Sequence, residues 1–176
     1  MGQKRAYRRA VGRHRRGGGS GRSSGQPDLE LVWQGAPLML TRENILNGYV
    51  KKLFAEGDGT TPLLSDEEID ASCHDTLAGA PPGDVWVFGY GSLIWNPTIH
   101  FSEKRVGHVT GYHRRFCLWT HLGRGNPDCP GLLLGLEHGG SCSGLAFRIP
   151  ADQAEHECRV IWHREMISGS YVPRWV

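Results

Sequence analysis

Val85-Trp-Val-Phe-Gly-Tyr-Gly-Ser-Leu-Ile-Trp95 decides how this 176-residue chain is read. Val85 to Phe88 are strand formers, and they run straight into Gly89-Tyr90-Gly91-Ser92. The two glycines let the main chain turn tightly and let a ligand come close to it, and Ser92 is placed to cap a short helical turn. A strand ending in such a turn gathers backbone N–H groups at one spot, where they suit a carboxylate or a developing oxyanion. The spacing also excludes three well-known loops. No Gly-Lys-Ser/Thr follows, so it is not a P-loop, and Ile94 stands where a dinucleotide fingerprint needs its third glycine. Tyr90 and Ile94 flank Ser92 where a nucleophile elbow needs glycines. On spacing alone, an anion-cradling loop and a plain tight turn both remain open.

A second informative residue lies 73 positions further on from Ser92, at Glu165. The pattern predicts a helix from Ala151 to about Met166, with Asp152 in the first turn where the helix dipole favours it. Ala154, Cys158, Ile161 and Trp162 form the apolar row, which Glu165 continues; Gln153, Glu157, Arg159 and Arg164 are expected on the opposite face. A carboxylate on the inward stripe is desolvated, which raises its pKa and suits it to general-base work near neutrality. The plain alternative is that Glu165 pairs with Arg164, His163 or a distant arginine and only shapes the helix end.

Taken together, these residues resemble the ChaC-type, glutathione-specific γ-glutamylcyclotransferases, in the branch typical of bacteria. The resemblance rests on Val87-Phe-Gly-Tyr-Gly-Ser-Leu-Ile-Trp-Asn-Pro97, Gly111-Tyr-His-Arg-Arg-Phe-Cys-Leu-Trp-Thr120, Pro130-Gly-Leu-Leu-Leu-Gly-Leu136 and Gly139-Gly-Ser-Cys-Ser-Gly-Leu-Ala-Phe-Arg148. Arg164-Glu-Met166 and Tyr171-Val-Pro-Arg-Trp175 extend it, and Leu40-Thr-Arg-Glu43 with Gly48-Tyr49 matches the helical extension of that branch. The resemblance implies an α+β fold built on a small mixed β-barrel with flanking helices. It implies cleavage of glutathione to 5-oxoproline and cysteinylglycine without metal or organic cofactor. By position it assigns the catalytic carboxylate to Glu165 and the substrate loop to Phe88, Gly89, Tyr90, Gly91, Ser92 and Leu93. It also implies further strands beyond Val176, so a C-terminally truncated and incomplete barrel with an unpaired apolar edge is expected. The resemblance puts a substrate-contacting tyrosine in that further region, and Tyr171 is not assigned its role. A truncated, inactive γ-glutamyl- or peptide-binding fragment, folding only with a partner, is the alternative of another class.

The predicted organisation follows. Residues 1–26 hold eight Lys/Arg and no acid among many Gly and Ser, leaving 12 basic and 18 acidic residues, net −6, over 27–176. Such an Arg/Gly tail is expected to be disordered and solvated, with nucleic acid not expected as a partner. Residues 27–83 read as a helical extension and linker: an amphipathic helix over 41–56, a capping box at Ser65-Asp-Glu-Glu68 opening a helix through Ile69, Cys73 and Leu77, and a linker at Gly79–Gly83. Residues 84–176 form the catalytic-type domain, with strands at 85–89, around 106–119, at 132–137 and at 144–149, and a hairpin turn at Gly139–Ser143. No apolar run approaches the ~20 residues of a membrane span, no signal-peptide core is present, and a cytoplasmic location is expected.

The five cysteines (73, 117, 129, 142 and 158) include no Cys-x-x-Cys and are expected to be reduced and mostly buried. Cys129, His138 and Cys142 match no standard metal spacing, and Cys117 with His121 is better read as a packed strand cysteine than as a thiol–imidazole pair. His100, His108, His113 and His163 read as surface or edge residues, Arg114 and Arg115 as surface residues on opposite faces of a strand, and the tryptophans, Trp95 and Trp119 included, as core. The pattern fixes no oligomeric state.

Overall fold

A computed structural model of the protein describes residues 40–57, 61–120, 125 and 128–176. The expected disordered tail, and the first part of the helical extension, lie outside the described residues. The elements run α1 (Arg42–Leu46), α2 (Tyr49–Gly57), α3 (Asp66–Ala78), β1 (Val85–Gly89), β2 (Glu103–Thr120), β3 (Gly131–Ile149) and α4 (Ala154–Glu165), with 3-10 turns at Ser92–Ile94 and Ala151–Gln153. The three strands form one antiparallel sheet in the order β1-β3-β2.

Where one helix was predicted over 41–56, two are found. Thr41 caps α1 by accepting from the Asn44 N–H, and Gly48, at φ 72°, takes the left-handed conformation that ends it. The break lets Ile45 and Val50, five residues apart, both reach the core, while Leu46 and Tyr49 stay partly exposed. The capping box is present as predicted: Ser65 accepts from the Glu68 N–H, and Glu68 accepts from that of Ser65. Ile69 and Cys73 then face inward.

The long hairpin corrects a second expectation. Gly139–Ser143 is not a turn but the middle of β3, and β2 and β3 are joined through residues 121–130. Thr110 pairs with Ser141 and Tyr112 with His138, so Gly139 and Gly140 together oppose Gly111. All three glycines have positive φ. This is a two-against-one bulge, which bends a continuous strand where sequence pattern suggested its reversal. A second irregularity sits at Cys117, between the Phe116–Leu134 and Leu118–Leu133 pairs. Its sulfur fills the space left by Gly135, where an added Cβ would lie 2.7 Å from Sγ.

The core lies between the helices and the shared half of the sheet. Phe147 and Ile149 of β3 and Val85 of β1 pack with Ile45, Ile69, Cys73, Cys158, Val160, Ile161 and Trp162. Polar ties fix α3 against α4. Arg159 forks onto both oxygens of Asp70 at 2.8 Å, and Trp162 Nε1 donates to Ser72 Oγ at 3.3 Å. His163, expected at the surface, instead keeps only 11% of its side chain exposed and contacts Asp70 at 2.8 Å. Conversely, Trp95 and Trp119, expected in the core, are 79% and 63% exposed. Because β1 pairs only with Leu145–Ile149, the distal half of the hairpin is a two-stranded ribbon among the described residues. A closed barrel is not formed by these three strands.

Candidate active site

β1 ends at Gly89, and the chain turns through Tyr90 and Gly91 into the 3-10 turn Ser92–Ile94. Ile94 N–H donates to Gly91 O, and those of Trp95 and Asn96 donate to Ser92 O. A helical first turn leaves its leading N–H groups without an acceptor inside the turn, and here those are the N–H groups of Ser92 and Leu93. Ser92 is not the cap of this turn, since Gly91 holds that place without a side-chain bond. Its hydroxyl is instead taken by Arg164, whose Nη2 donates to Ser92 Oγ at 2.9 Å.

Glu165 is the last residue of α4. About a quarter of its side-chain surface is open, and Arg164 Nε lies 2.9 Å from its Oε1. Burial pushes its carboxyl above the usual carboxylate range, and the Arg164 charge and hydrogen bond oppose that push without cancelling it. The plain alternative, pairing with Arg164, is therefore present, yet the acid keeps the raised pKa expected of an inward-facing carboxylate. Burial, and then the neighbouring Tyr171 and Glu165, hold the Tyr90 phenol well above the usual tyrosine range. Burial and Glu165 likewise push Tyr171 up to about 12. Two protonated phenols and one perturbed acid thus share a corner, with Ser92 joined to it through Arg164.

A cavity of about 540 Å³ adjoins this corner. Phe88, Tyr90, Met166 and Tyr171 lie in its wall, while Gly89, Gly91, Ser92, Leu93 and Glu165 do not, so this space lies beside the acid, not on it. Its far side is formed by Leu118 and Leu136 of the ribbon and by the chain leading to Trp175. Trp175 Nε1 donates to Thr76 O at 3.0 Å and so ties that last segment to α3.

Two functional candidates escaped the sequence pattern. Arg164 was expected on the outer face with Glu157, but both are buried, at 9% and 2% exposure. Arg42 forks onto Glu157 at 2.5 and 2.9 Å, and the His100 N–H donates to it at 2.8 Å. Tyr171, assigned no role from sequence, stands in the cavity wall beside Tyr90. The available signal for Arg164 was its adjacency to Glu165, since consecutive helical residues lie only about 100° apart and cannot occupy opposite faces.

The other candidates do not assemble. No disulfide joins the five cysteines, of which 73, 142 and 158 are buried. Cys129 is exposed, and His121 lies outside the described residues. Among the described residues no three His, Cys, Asp or Glu side chains converge as a metal-binding group. Arg114 and Arg115 are both exposed, Arg115 being paired with Glu137 at 2.6 Å.

The fold and site therefore define a small domain of helices on an antiparallel sheet, in which a strand–glycine turn is bonded to a helix ending in a perturbed acid. The ChaC-like protein family model matches residues 85–176, over half of the chain, and the chain belongs to that family. It is 44% identical over 138 residues to the glutathione-specific gamma-glutamylcyclotransferase of Escherichia coli, covering 78% of this chain and 59% of that protein. It is 36% identical over 104 residues to glutathione-specific gamma-glutamylcyclotransferase 1 of Danio rerio, covering 58% of this chain and 52% of that one. The chain thus spans between a half and three fifths of the length of these relatives. A crystal structure of a glutathione-specific gamma-glutamyl cyclotransferase from yeast aligns with a TM-score of 0.44 at 23% identity, covering 48% of this chain and 49% of that one.

Among the described residues, no helix is long and apolar enough to cross a membrane.

Proposed function

We propose that this chain carries the catalytic machinery of a cytoplasmic glutathione-specific γ-glutamylcyclotransferase, with residues 84–176 as its catalytic domain and 27–83 as a helical extension. The observation that carries the reading is the perturbed Glu165 hydrogen-bonded through Arg164 to the Gly89–Leu93 turn, in a chain whose relatives bear that name. Glutathione is then the substrate, and the barrel is completed by strands beyond these three.

The chemistry uses what the site offers. The α-amine of the γ-glutamyl group attacks its own δ-carbonyl carbon, a five-membered lactam closes, and the bond to the cysteinyl nitrogen breaks. The products are 5-oxoproline and cysteinylglycine. Holding the amine in near-attack geometry is worth roughly 7–11 kcal/mol by effective-molarity arguments. The amine, with a reference pKa of about 8, must first lose a proton. Glu165 accepts that proton as general base and returns it to the leaving nitrogen as general acid; the ring nitrogen sheds a second proton as the lactam forms, and that proton ends on the released amine, so cysteinylglycine leaves as its ammonium. The turn formed by Phe88, Gly89, Tyr90, Gly91, Ser92 and Leu93 cradles the substrate, its leading N–H groups meeting the α-carboxylate or the carbonyl oxygen. A cavity of about 540 Å³ is in the range of small-molecule sites and receives the remainder of the peptide.

The test is incubation of the full chain with glutathione, with 5-oxoproline quantified by mass spectrometry beside Glu165→Gln. Product from the wild type alone is expected; equal product from both would remove Glu165 from the mechanism. The exposed two-stranded ribbon favours a second reading, in which this chain binds γ-glutamyl compounds but turns them over only with further strands or a partner. Under that reading a folded wild type binds glutathione measurably and forms no 5-oxoproline.

A further inference from the structure

The least expected feature of the site is a buried arginine next to the acid. The Arg164 side chain is only 5% exposed, and a guanidinium so placed needs acceptors for its five N–H groups. It finds four. Nε donates to Glu165 Oε1 at 2.9 Å, Nη2 to Ser92 Oγ at 2.9 Å, and Nη1 to Thr98 Oγ1 at 3.2 Å and to the Asn96 carbonyl. One acceptor is the acid, and the other three lie on the stretch leaving β1. That stretch is strained at Thr98, a β-branched residue at φ 58°, a conformation costing on the order of 1–3 kcal/mol and kept only where surroundings over-determine it. Arg164 holds its hydroxyl, and Arg42 Nη1 reaches its carbonyl at 3.4 Å. Lysine would satisfy the charge but not this planar fork.

We infer that Arg164 is a positioning residue whose guanidinium, shared among Glu165, Ser92, Asn96 and Thr98, locks the acid at the end of α4 to the turn that faces it. The inference rests on the cyclotransferase reading for the reaction it serves. With Oε1 held by Nε, proton transfer falls to Oε2, and rotation of the carboxylate away from the substrate amine is blocked. Holding Ser92 from the same guanidinium keeps the cradle N–H groups in register with the base. The positive charge also opposes the rise that burial gives the acid.

Two variants of the full chain separate these contributions. Arg164→Lys keeps the charge and loses the fork, and Arg164→Gln loses both. A misplacement near 1 Å costs about a hundredfold in rate, so both variants are expected to lower kcat by about that factor with a smaller change in KM. In Arg164→Gln the acid limb of the kcat/KM profile moves to higher pH, because the counter-charge to Glu165 is gone. A merely structural role would reduce the folded fraction and leave the limb in place. A readout without turnover is the titration of the Glu165 carboxyl by NMR in glutamate-labelled protein. It is expected to shift upward in Arg164→Gln. An unmoved titration with wild-type kcat would overturn the inference. If the titration moves and even the wild type forms no 5-oxoproline, the cyclotransferase reading fails and the positioning role stands. Should Arg164→Gln not fold, Ser92→Ala cuts a single arm of the fork. A slower kcat at unchanged melting temperature supports the inference, and wild-type kcat there refutes it.

Discussion

At the scale of the residue, the proposed base Glu165 also governs how stability depends on pH. Its folded pKa is raised by burial against the opposition of Arg164, so folding favours its protonated form. The stability it contributes is therefore fully present below the unfolded value near 4.3 and lost as pH rises through the folded one. Glu165→Gln, which keeps an acceptor for Arg164 Nε, is expected to melt higher than the wild type at pH 7 and to match it near pH 4. Thermal melts across that range check this, and a variant that melts lower at pH 7 contradicts the buried-acid account. Under the proposed mechanism the same residue sets the acid limb of activity, since only an ionised carboxylate accepts the amine proton. The inward placement of Glu165 was legible from the Ala154–Trp162 row, because a helical period says which face a residue takes. The burial of Arg164 and Glu157 was not, because their partners, Ser92, Arg42 and His100, are 57 to 115 positions away in sequence.

Among the elements, α1 is fastened to α4 by a buried ion pair and the sheet is pinched at a glycine contact. Burial alone would raise Glu157, but Arg42 and the His100 N–H together hold its carboxyl below the usual range. That stability is present above the unfolded value and disappears as pH falls through the lower folded one. Arg42→Met strands a carboxylate that is only 3% exposed, at a cost of about 3 kcal/mol. Urea denaturation at pH 7 reads the loss, and the difference from wild type is expected to shrink toward pH 3. At the sheet, a Cβ on Gly144 would lie 2.3 Å from Gly89 O and 2.8 Å from the Phe88 ring. Gly144→Ala is therefore expected to destabilise by about 1–3 kcal/mol and, under the proposed cyclotransferase reading, to raise KM for glutathione by shifting the turn that begins at Gly89; unchanged stability and KM would show that the two strands can part. Strand composition and turn residues made β1, β2 and the capping box of α3 readable. The Gly139–Gly140 bulge was misread as a turn because positive-φ glycines serve reversal and bending alike, and only cross-strand register tells the two apart.

For the whole molecule, the two-stranded ribbon is the exposed flank. Phe116 and Trp119 are 60% and 63% exposed, and Val106 is 83% exposed on the same long strand. Edges of this kind pair with other strands. The full chain is expected to self-associate as its concentration rises, with Phe116→Lys and Trp119→Lys together restoring a monomer in sedimentation-velocity runs. A wild-type chain that stays monomeric at high concentration would show that the flank is covered from within. Sequence by itself determined the elements near the site, the turn after β1 and the inward placement of Glu165, because strand propensity, glycine spacing and helical period are local properties. Tertiary structure alone decided that Arg164 joins that acid to Ser92, that Glu157 is caged by Arg42, and that Trp95 and Trp119 face outward. These depend on which distant segments are brought within a hydrogen-bond length or left uncovered, and no local pattern encodes that distance.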